Sequence, residues 1–410
     1  LWAQTGPGGV GNSDGTGGSQ PENVFWLRAD QYDGSTTWSD LSGNSNDATV
    51  NSGSPSKVTD ADTIRGESRV SFEVGDDFDF SNAGNPTKIE QIPNGDNTVL
   101  VISKRDEGTA EGQFLFDSGG NNRRFGYRFQ GTGNDLVPLG GINGPKNNTL
   151  TSTADVTATS FNVLSTTYAG GGATIDVAVN GDVKEDSETG ANTTGNGTNA
   201  LIGSGLKGDI AEVVAYGNSL NAAQLRIVNN YLQERYGIGV EFDDFAFGSF
   251  SNDLAGIGRE DNAVGAATGG THLQAKSGVL QLEKSSFGGD DRFVLFGHDG
   301  NSEAFNDTQV NGNGDAERID RTWRVDLTGK TTGQIVDVNV DRSALPGLGS
   351  SFNDYAVYVD ADGDFSTGAE FYDLSSSGSA SISLDNGNYI TIARIDRKVS
   401  FLLSLRLGSR

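Results

Sequence analysis

Apolar residues in this chain never run long. From Val24 onward they come in stretches of about four to eight, cut apart by clusters of Gly, Asn, Asp and Ser. The first such stretches are Val24–Ala29, Val70–Val74, Thr98–Ser103, Gln113–Phe116, Phe125–Phe129, Phe161–Thr167, Thr174–Asn180 and Ile210–Tyr216. Runs of that length suit strands and are too short for most helices. In Thr174–Asn180, Ile175, Val177 and Val179 alternate with polar neighbours, the pattern of a strand with one face buried. Asn180-Gly181 follows at once, and both residue types accept the positive φ of a type I′ hairpin turn. Most of the 59 glycines fall in such turns. The pattern predicts an all-β chain built of sandwiches or jelly rolls.

Ser219–Tyr236 is the exception. Leu225, Val228, Tyr231, Leu232 and Tyr236 recur near helical spacing, with Ser219 or Asn221 as N-cap and Gly237 as the left-handed residue past the end. This helix closes a first domain of residues 21–240. A second β-rich domain is expected over 241–396, with strands at Phe293–Gly297, Thr322–Val325, Ile335–Val340, Tyr355–Asp360, Ser381–Leu384 and Tyr389–Ile395. Residues 1–20 read as a Gly-rich N-terminal arm, either flexible or extended and pinned by something else. Residues 397–410 form an apolar C-terminal segment suited to a last strand or an interface.

Charge and sulfur content exclude several functions. The chain has no Cys, so it has no disulfide, no thiolate zinc site and no cysteine nucleophile. Its formal charge of −26 argues against nucleic acid as a partner, since phosphate neutralisation needs clustered Lys and Arg. No apolar run approaches the roughly 20 residues of a transmembrane helix. The acids are spread evenly, with 29 against 15 bases in residues 1–240 and 26 against 14 in 241–410. An even acidic surface suits adaptation to high salt, a halophilic trait. The preference for Asp over Glu, 39 to 16, suits calcium loops. Met is absent, and Leu1-Trp2-Ala3-Gln4 resembles the end of a signal peptide. An extracellular or cell-surface location, reached by export, is the expectation.

Several motifs carry a family resemblance. Trp26-Leu27-Arg28-Ala29-Asp30, Trp38–Ala48, Arg69–Phe72, the Asn180-Gly181 hairpin, Gly208–Tyr216 and Tyr231–Gly237 together resemble laminin-G-like, concanavalin-A-type jelly rolls of bacterial surface proteins. The resemblance covers about residues 21–240. Asn252–Arg259, Phe296–His298, Glu317–Trp323 and Val359–Ser366 resemble an uncharacterised β-domain that follows such modules in secreted surface proteins of gliding-type bacteria. The resemblance implies a concanavalin-A-like jelly-roll sandwich with one closing helix, then a second β-sandwich domain. It implies adhesion or surface coating and fixes no ligand.

Three sets of residues are candidates for chemistry. Asp360, Asp362 and Asp364 alternate around Gly363, a spacing that converges on one hard cation in calcium loops. The acid that would complete an EF-hand is missing, because Phe371 stands at its place. Asp30, Asp40, Asn44 and Asp47 form a looser second set near the first strands, also assigned to calcium. Trp38, Tyr127 and Tyr168 are candidates for stacking on the apolar face of a sugar. No nucleophile motif flanks His272 or His298. Glu241-Phe242-Asp243-Asp244-Phe245 only approaches the carboxylate signature of jelly-roll glucanases. The expected protein is therefore a non-catalytic adhesive or structural surface protein that binds glycans or surface glycoproteins with calcium-stiffened loops. A self-assembling filament or surface-layer subunit, joined through its terminal arms to copies of itself, is the alternative. A glycoside hydrolase is a distant third.

Overall fold

The structure is a computed structural model, and it describes residues 6–15, 20–59, 64–92, 96–106, 113–117, 124–129, 136–140, 160–168, 175–184, 200–262, 264, 267–307, 310 and 316–396. Among them the chain is almost entirely β, as the short apolar runs predict. The described chain divides into two compact units. One holds residues 3–243 together with 260–270, the other 244–259 with 271–410. The division is thus not a single cut near residue 240, because residues 260–270 return to the first unit.

In the first unit, 15 antiparallel strands form one hydrogen-bonded sheet that curls into a sandwich. Strand Asn23–Tyr32 shows how the sequence builds it. Phe25, Leu27 and Ala29 point into the core beside Phe72, Phe78, Phe80 and Phe116. Each buried aromatic of this kind contributes about 1.5–3 kcal/mol of transfer free energy. The residues between them, Trp26 and Arg28, lie on the opposite face, since successive side chains of a strand alternate. That face is covered by the helix Ala222–Tyr236, whose Tyr231 meets the Trp26 ring edge-on with centroids 6.2 Å apart. Neighbours Gly208–Tyr216 and Asn97–Arg105 continue this part of the sheet.

Asn221, not Ser219, is the N-cap of that helix. Its side chain accepts from the Gln224 N–H while Gln224 reaches back to the Asn221 N–H, a capping box. Gly237 ends the helix at φ 66°, the left-handed C′ position expected of glycine. Only Arg235 escapes full burial, which a helix packed on one face would not show. The wrapping comes from chain on both sides of it. Asn230 Nδ2 donates to the Phe242 carbonyl, Ala222 N–H to that of Thr268, and Arg226 pairs with Glu260 at 2.8 Å. A short second helix, Pro86–Gln91, was not expected from the sequence.

Residues 6–12 decide between the two readings of the N-terminal arm. They form a tight loop, with Gly6 N–H donating to the Gly11 carbonyl and Gly9 N–H to that of Gly6. Val10 is fully buried, and its carbonyl accepts from the Tyr216 hydroxyl. Gly8 has φ 71°, and a Cβ there would stand 2.9 Å from Ile227 Cγ2. Glycine is needed at that position for close approach to the helix. The segment is pinned, and by its own unit. The apolar segment 397–410 lies outside the described residues.

The second unit is a sandwich of a nine-stranded and a four-stranded sheet. Its core interleaves Ile257, Phe296, Trp323, Val357 and Ile392 from one with Leu282, Val336, Val338 and Ile382 from the other. In Gln334–Val340, Val336, Val338 and Val340 are buried and Ile335 and Asp337 exposed, the alternation the sequence shows. The outer face of the larger sheet carries a smaller cluster, where Phe365 and Ala369 pack on Ala356, Tyr358 and Ala393.

Candidate functional site

Strand Asn97–Arg105 pairs with Asn162–Tyr168 so that Asn162 lies opposite Ser103. That register brings Ser160 and Phe161 beside Lys104. Strand Asn162–Tyr168 pairs in turn with Ile175–Val179, and Asn180-Gly181 joins the latter to Asp182–Lys184 with φ 53° and 83°, a type I′ turn. Asn180 ties these strand ends together. Its N–H donates to the Val163 carbonyl, its Oδ1 accepts from the Val163 N–H, and its Nδ2 donates to Asn162 Oδ1. The segment after the helix is fastened to the same turn, with the Glu241 N–H donating to the Asn180 carbonyl.

These pieces enclose an open groove of about 580 Å³. Lys104, Ser160, Phe161, Asn162, Asn180 and Tyr236 are among its walls, completed by Ile64, Gly237, Ile238 and Gly239. The Lys104 ammonium lies 5.5 Å from the Phe161 ring centroid, within cation–π range, and 3.0 Å from Asp209 Oδ2. Asp209 is buried and also meets Arg69 Nε at 3.3 Å. Among the described residues no Asp or Glu lines the groove.

Tyr236 links the groove to a buried polar cluster beneath the helix. Its hydroxyl donates inward to Glu212 Oε2 at 2.6 Å, while the Trp26 indole donates to Oε1 at 2.6 Å. Burial pushes the Glu212 carboxyl above its ordinary range, although Arg235, Arg28 and the two donors pull the other way. Burial, reinforced by the Glu212 charge, raises the Tyr236 and Tyr231 hydroxyls as well, so both stay protonated donors at neutral pH.

The residues singled out from sequence lie elsewhere. Trp38 is not a sugar platform. It is fully buried, its indole donates to the Arg28 carbonyl at 2.6 Å, and its ring packs against Tyr32 and Phe78. Tyr127 and Tyr168 lie on strands Arg124–Phe129 and Asn162–Tyr168, but their side chains are outside the described residues.

Asp40, Asn44 and Asp47 lie together in one hydrogen-bonded turn. Asp40 Oδ1 accepts from the Trp26 and Ser42 N–H groups and Oδ2 from Asn46 N–H and Ser42 Oγ. Asp47 accepts from the Asp40 N–H, and Asn44 donates to the Asn23 carbonyl. Asp30 is paired with Arg28 at 2.8 Å and with Arg235 at 3.6 Å. At the other loop, Asp360 accepts from the Asp362 and Gly363 N–H groups, Asp362 from that of Asp364, and Asp364 from Ser366. Each carboxylate thus organises the next step of the turn, and Phe365 anchors the loop on the sheet. Among the described residues no three His, Asp or Glu side chains come together as a metal shell.

The family match agrees with the architecture. Residues 79–226 match the concanavalin A-like lectin/glucanases superfamily, and residues 214–388 match a domain of unknown function, DUF8202. Each match spans less than half of the chain. No curated protein matches. Among solved structures, domain 4 of an extracellular arabinanase from Geobacillus stearothermophilus, in complex with arabinotriose, is similar at 14% identity and a TM-score of 0.37. It covers 51% of this chain and 98% of that one. A Trypanosoma rangeli sialidase is similar at 16% identity and a TM-score of 0.37, covering 58% of this chain and 38% of that one. The binding domain of botulinum neurotoxin DC, in complex with SialylT, is similar at 11% identity and a TM-score of 0.37, covering 93% and 96%. The chain spans well under half the length of the sialidases it resembles. The fold is a concanavalin-A-like sandwich of curled β-sheets with a closing helix, followed by a second, β-rich unit.

Proposed function

We propose that this protein is a non-catalytic, extracellular cell-surface protein whose first unit binds carbohydrate, serving as an adhesive or structural building block. The observation that carries this reading is the groove. In a concanavalin-A-like unit it sets Phe161 and Lys104 beside the polar residues Ser160, Asn162 and Asn180. Sugar recognition uses that mixture, an apolar face to stack on and donors around its rim.

A glycan array with the full chain tests the reading. Binding that Phe161→Ala weakens at unchanged melting temperature supports it. Clean negatives across plant, algal and bacterial polysaccharides, or release of reducing ends from any of them, would sink it. Assembly through the N-terminal segment is disfavoured, because residues 6–12 already pack on their own unit.

A further inference from the structure

We propose that the second unit carries a docking site for an acidic side chain, an Asp or Glu on a partner polypeptide, built on Arg324. The site lies on the outer face of the larger sheet and does not depend on the carbohydrate reading of the groove. Arg324 stands between Trp323 and Val325, both in the core, so its own side chain points outward. Its opposite numbers on the neighbouring strands are Tyr389 and Gly297. Neither can supply a carboxylate.

What surrounds the guanidinium is aromatic. Its centre lies 3.7 Å from the Phe247 ring centroid, 4.7 Å from that of Tyr389 and 5.8 Å from that of Phe250. The rings are themselves held. Phe250 meets Tyr389 edge-on at 5.6 Å, and the Ala246 N–H donates to Asp326 Oδ2 at 2.8 Å. A Cβ at Gly297 would stand 2.3 Å from the Phe250 carbonyl oxygen, so glycine there lets this segment lie down on the sheet. Rings against a guanidinium fix its plane and leave its N–H edge for an anion. Among the described residues Nε is buried without a hydrogen-bond partner, which leaves Nη1 and Nη2 to serve a ligand. A Cβ at Gly387 would stand 4.0 Å from Nη2, so glycine keeps a side chain out of that approach.

The same unit shows what such an arrangement takes. Arg394 lies 4.8 Å from the Phe305 centroid and 4.7 Å from that of Phe352, and its Nε and Nη2 donate to Glu317 Oε2 at 3.0 and 2.5 Å. Arg342 lies 5.7 Å from the Tyr355 centroid and pairs with Asp354 at 3.0 Å. Register sets Glu317 opposite Arg394, whereas it sets Tyr389 opposite Arg324. Asp326, the acid on the Arg324 strand, senses the guanidinium charge but gives Oδ2 to the Ala246 N–H. A carboxylate for Arg324 therefore comes from another chain. An Asp or Glu carries it on a short methylene arm, as Asp354 and Glu317 do, and such an arm suits the edge of a half-buried guanidinium. A uronic acid carries its carboxyl on the ring itself and would have to bring the whole ring up to Phe247 and Tyr389.

Nitrogen-15 spectra of the full chain at 0.15 M salt test the site through the Arg324 Nε–H signal, assigned by its loss in Arg324→Lys. At that salt the chain's charge of −26 is screened beyond about 8 Å, so the short contacts decide binding. Acetylated hexaglutamate should shift the signal, and acetylated hexaglutamine should leave it in place. Arg324→Gln should bind fluorescein-labelled hexaglutamate about tenfold or more weakly, the scale of losing a charged hydrogen bond. Arg324→Lys, which keeps the charge without the planar fork, should recover only part of that loss. Melting curves control for folding of the variants, and the titration of the native chain stands without them. An unmoved signal, equal effects of the two peptides, or full binding by a folded Arg324→Gln overturns the site. Polygalacturonate moving the signal where hexaglutamate does not overturns the polypeptide assignment in favour of an acidic sugar.

Discussion

Trp26 and Glu212 are diagonal neighbours on adjacent strands, and the Trp26 indole N–H donates to Glu212 Oε1 at 2.6 Å. Both are buried beneath the helix. Removing the donor with Trp26→Phe leaves a buried carboxylate oxygen without one of its partners, which costs about 1–3 kcal/mol. Urea denaturation at neutral pH should register that loss.

The same carboxyl gives stability a pH signature. Burial raises the folded Glu212 above the unfolded value of 4.5, so the folded state holds the proton more tightly. Its favourable contribution is complete below about pH 4.5 and is lost as pH rises through the folded pKa. Glu212→Gln cannot titrate. Its stability deficit against the native chain should therefore shrink between pH 4 and pH 8, read as unfolding free energy at each pH. Parallel curves for the two proteins would refute the assignment.

Trp38 belongs to the core, and its substitution should behave so. Trp38→Ala should lose about 3–5 kcal/mol of stability, the usual cost of removing a large buried aromatic. Sugar binding by the fraction that remains folded should be unchanged, measured by calorimetry at low temperature. A binding loss in a fully folded Trp38→Phe would restore Trp38 as a ligand residue.

Arg226 and Glu260 form an ion pair whose two side chains are only 5% and 4% exposed. Arg226 also lies 4.8 Å from the Phe242 ring centroid, and Glu260 accepts from Asn262. Arg226→Met strands a buried carboxylate and should cost about 3–5 kcal/mol. The double variant Arg226→Met with Glu260→Leu should recover most of that loss, because two apolar side chains need no partner. Additive losses in a double-mutant cycle would contradict this account.

Calcium supplies a further test. Since the carboxylates of Asp360, Asp362, Asp364, Asp40 and Asp47 accept from their own loops, chelation should leave the melting temperature where it is. A rise of several degrees on adding millimolar calcium, abolished by Asp362→Asn, would show that these turns bind the ion.

The strands and the closing helix could be read from sequence because their signals are local. Alternation in Gln334–Val340 and the Asn-Gly turn after Val179 need no knowledge of the rest of the chain. The capping box at Asn221 and Gln224 is local as well. The site was not legible in this way. Its walls come from positions 64, 104, 160–162, 180 and 236–239, joined only by strand register. Lys104 looks in sequence like any other base until the strand register sets it beside Phe161 and Asp209. Trp38 misled for the opposite reason, since an aromatic near a loop gives no sign of which face of the sheet it will take. The Asp-rich turns are ambiguous from sequence because a carboxylate that holds its own backbone has the same spacing as one that holds a cation.

Residues 260–270 join the first unit although the chain has by then contributed strand Asn252–Glu260 to the sheet of the second. During synthesis from the N-terminus, the helix Ala222–Tyr236 emerges before its Arg226 has Glu260 to pair with, and before Ala222 N–H has the Thr268 carbonyl. The first unit therefore reaches its final packing only after part of the second has been made. Ordered vectorially, the two units mature as interleaved stages of one process, and a nascent chain arrested near residue 240 would present a helix with one flank still bare.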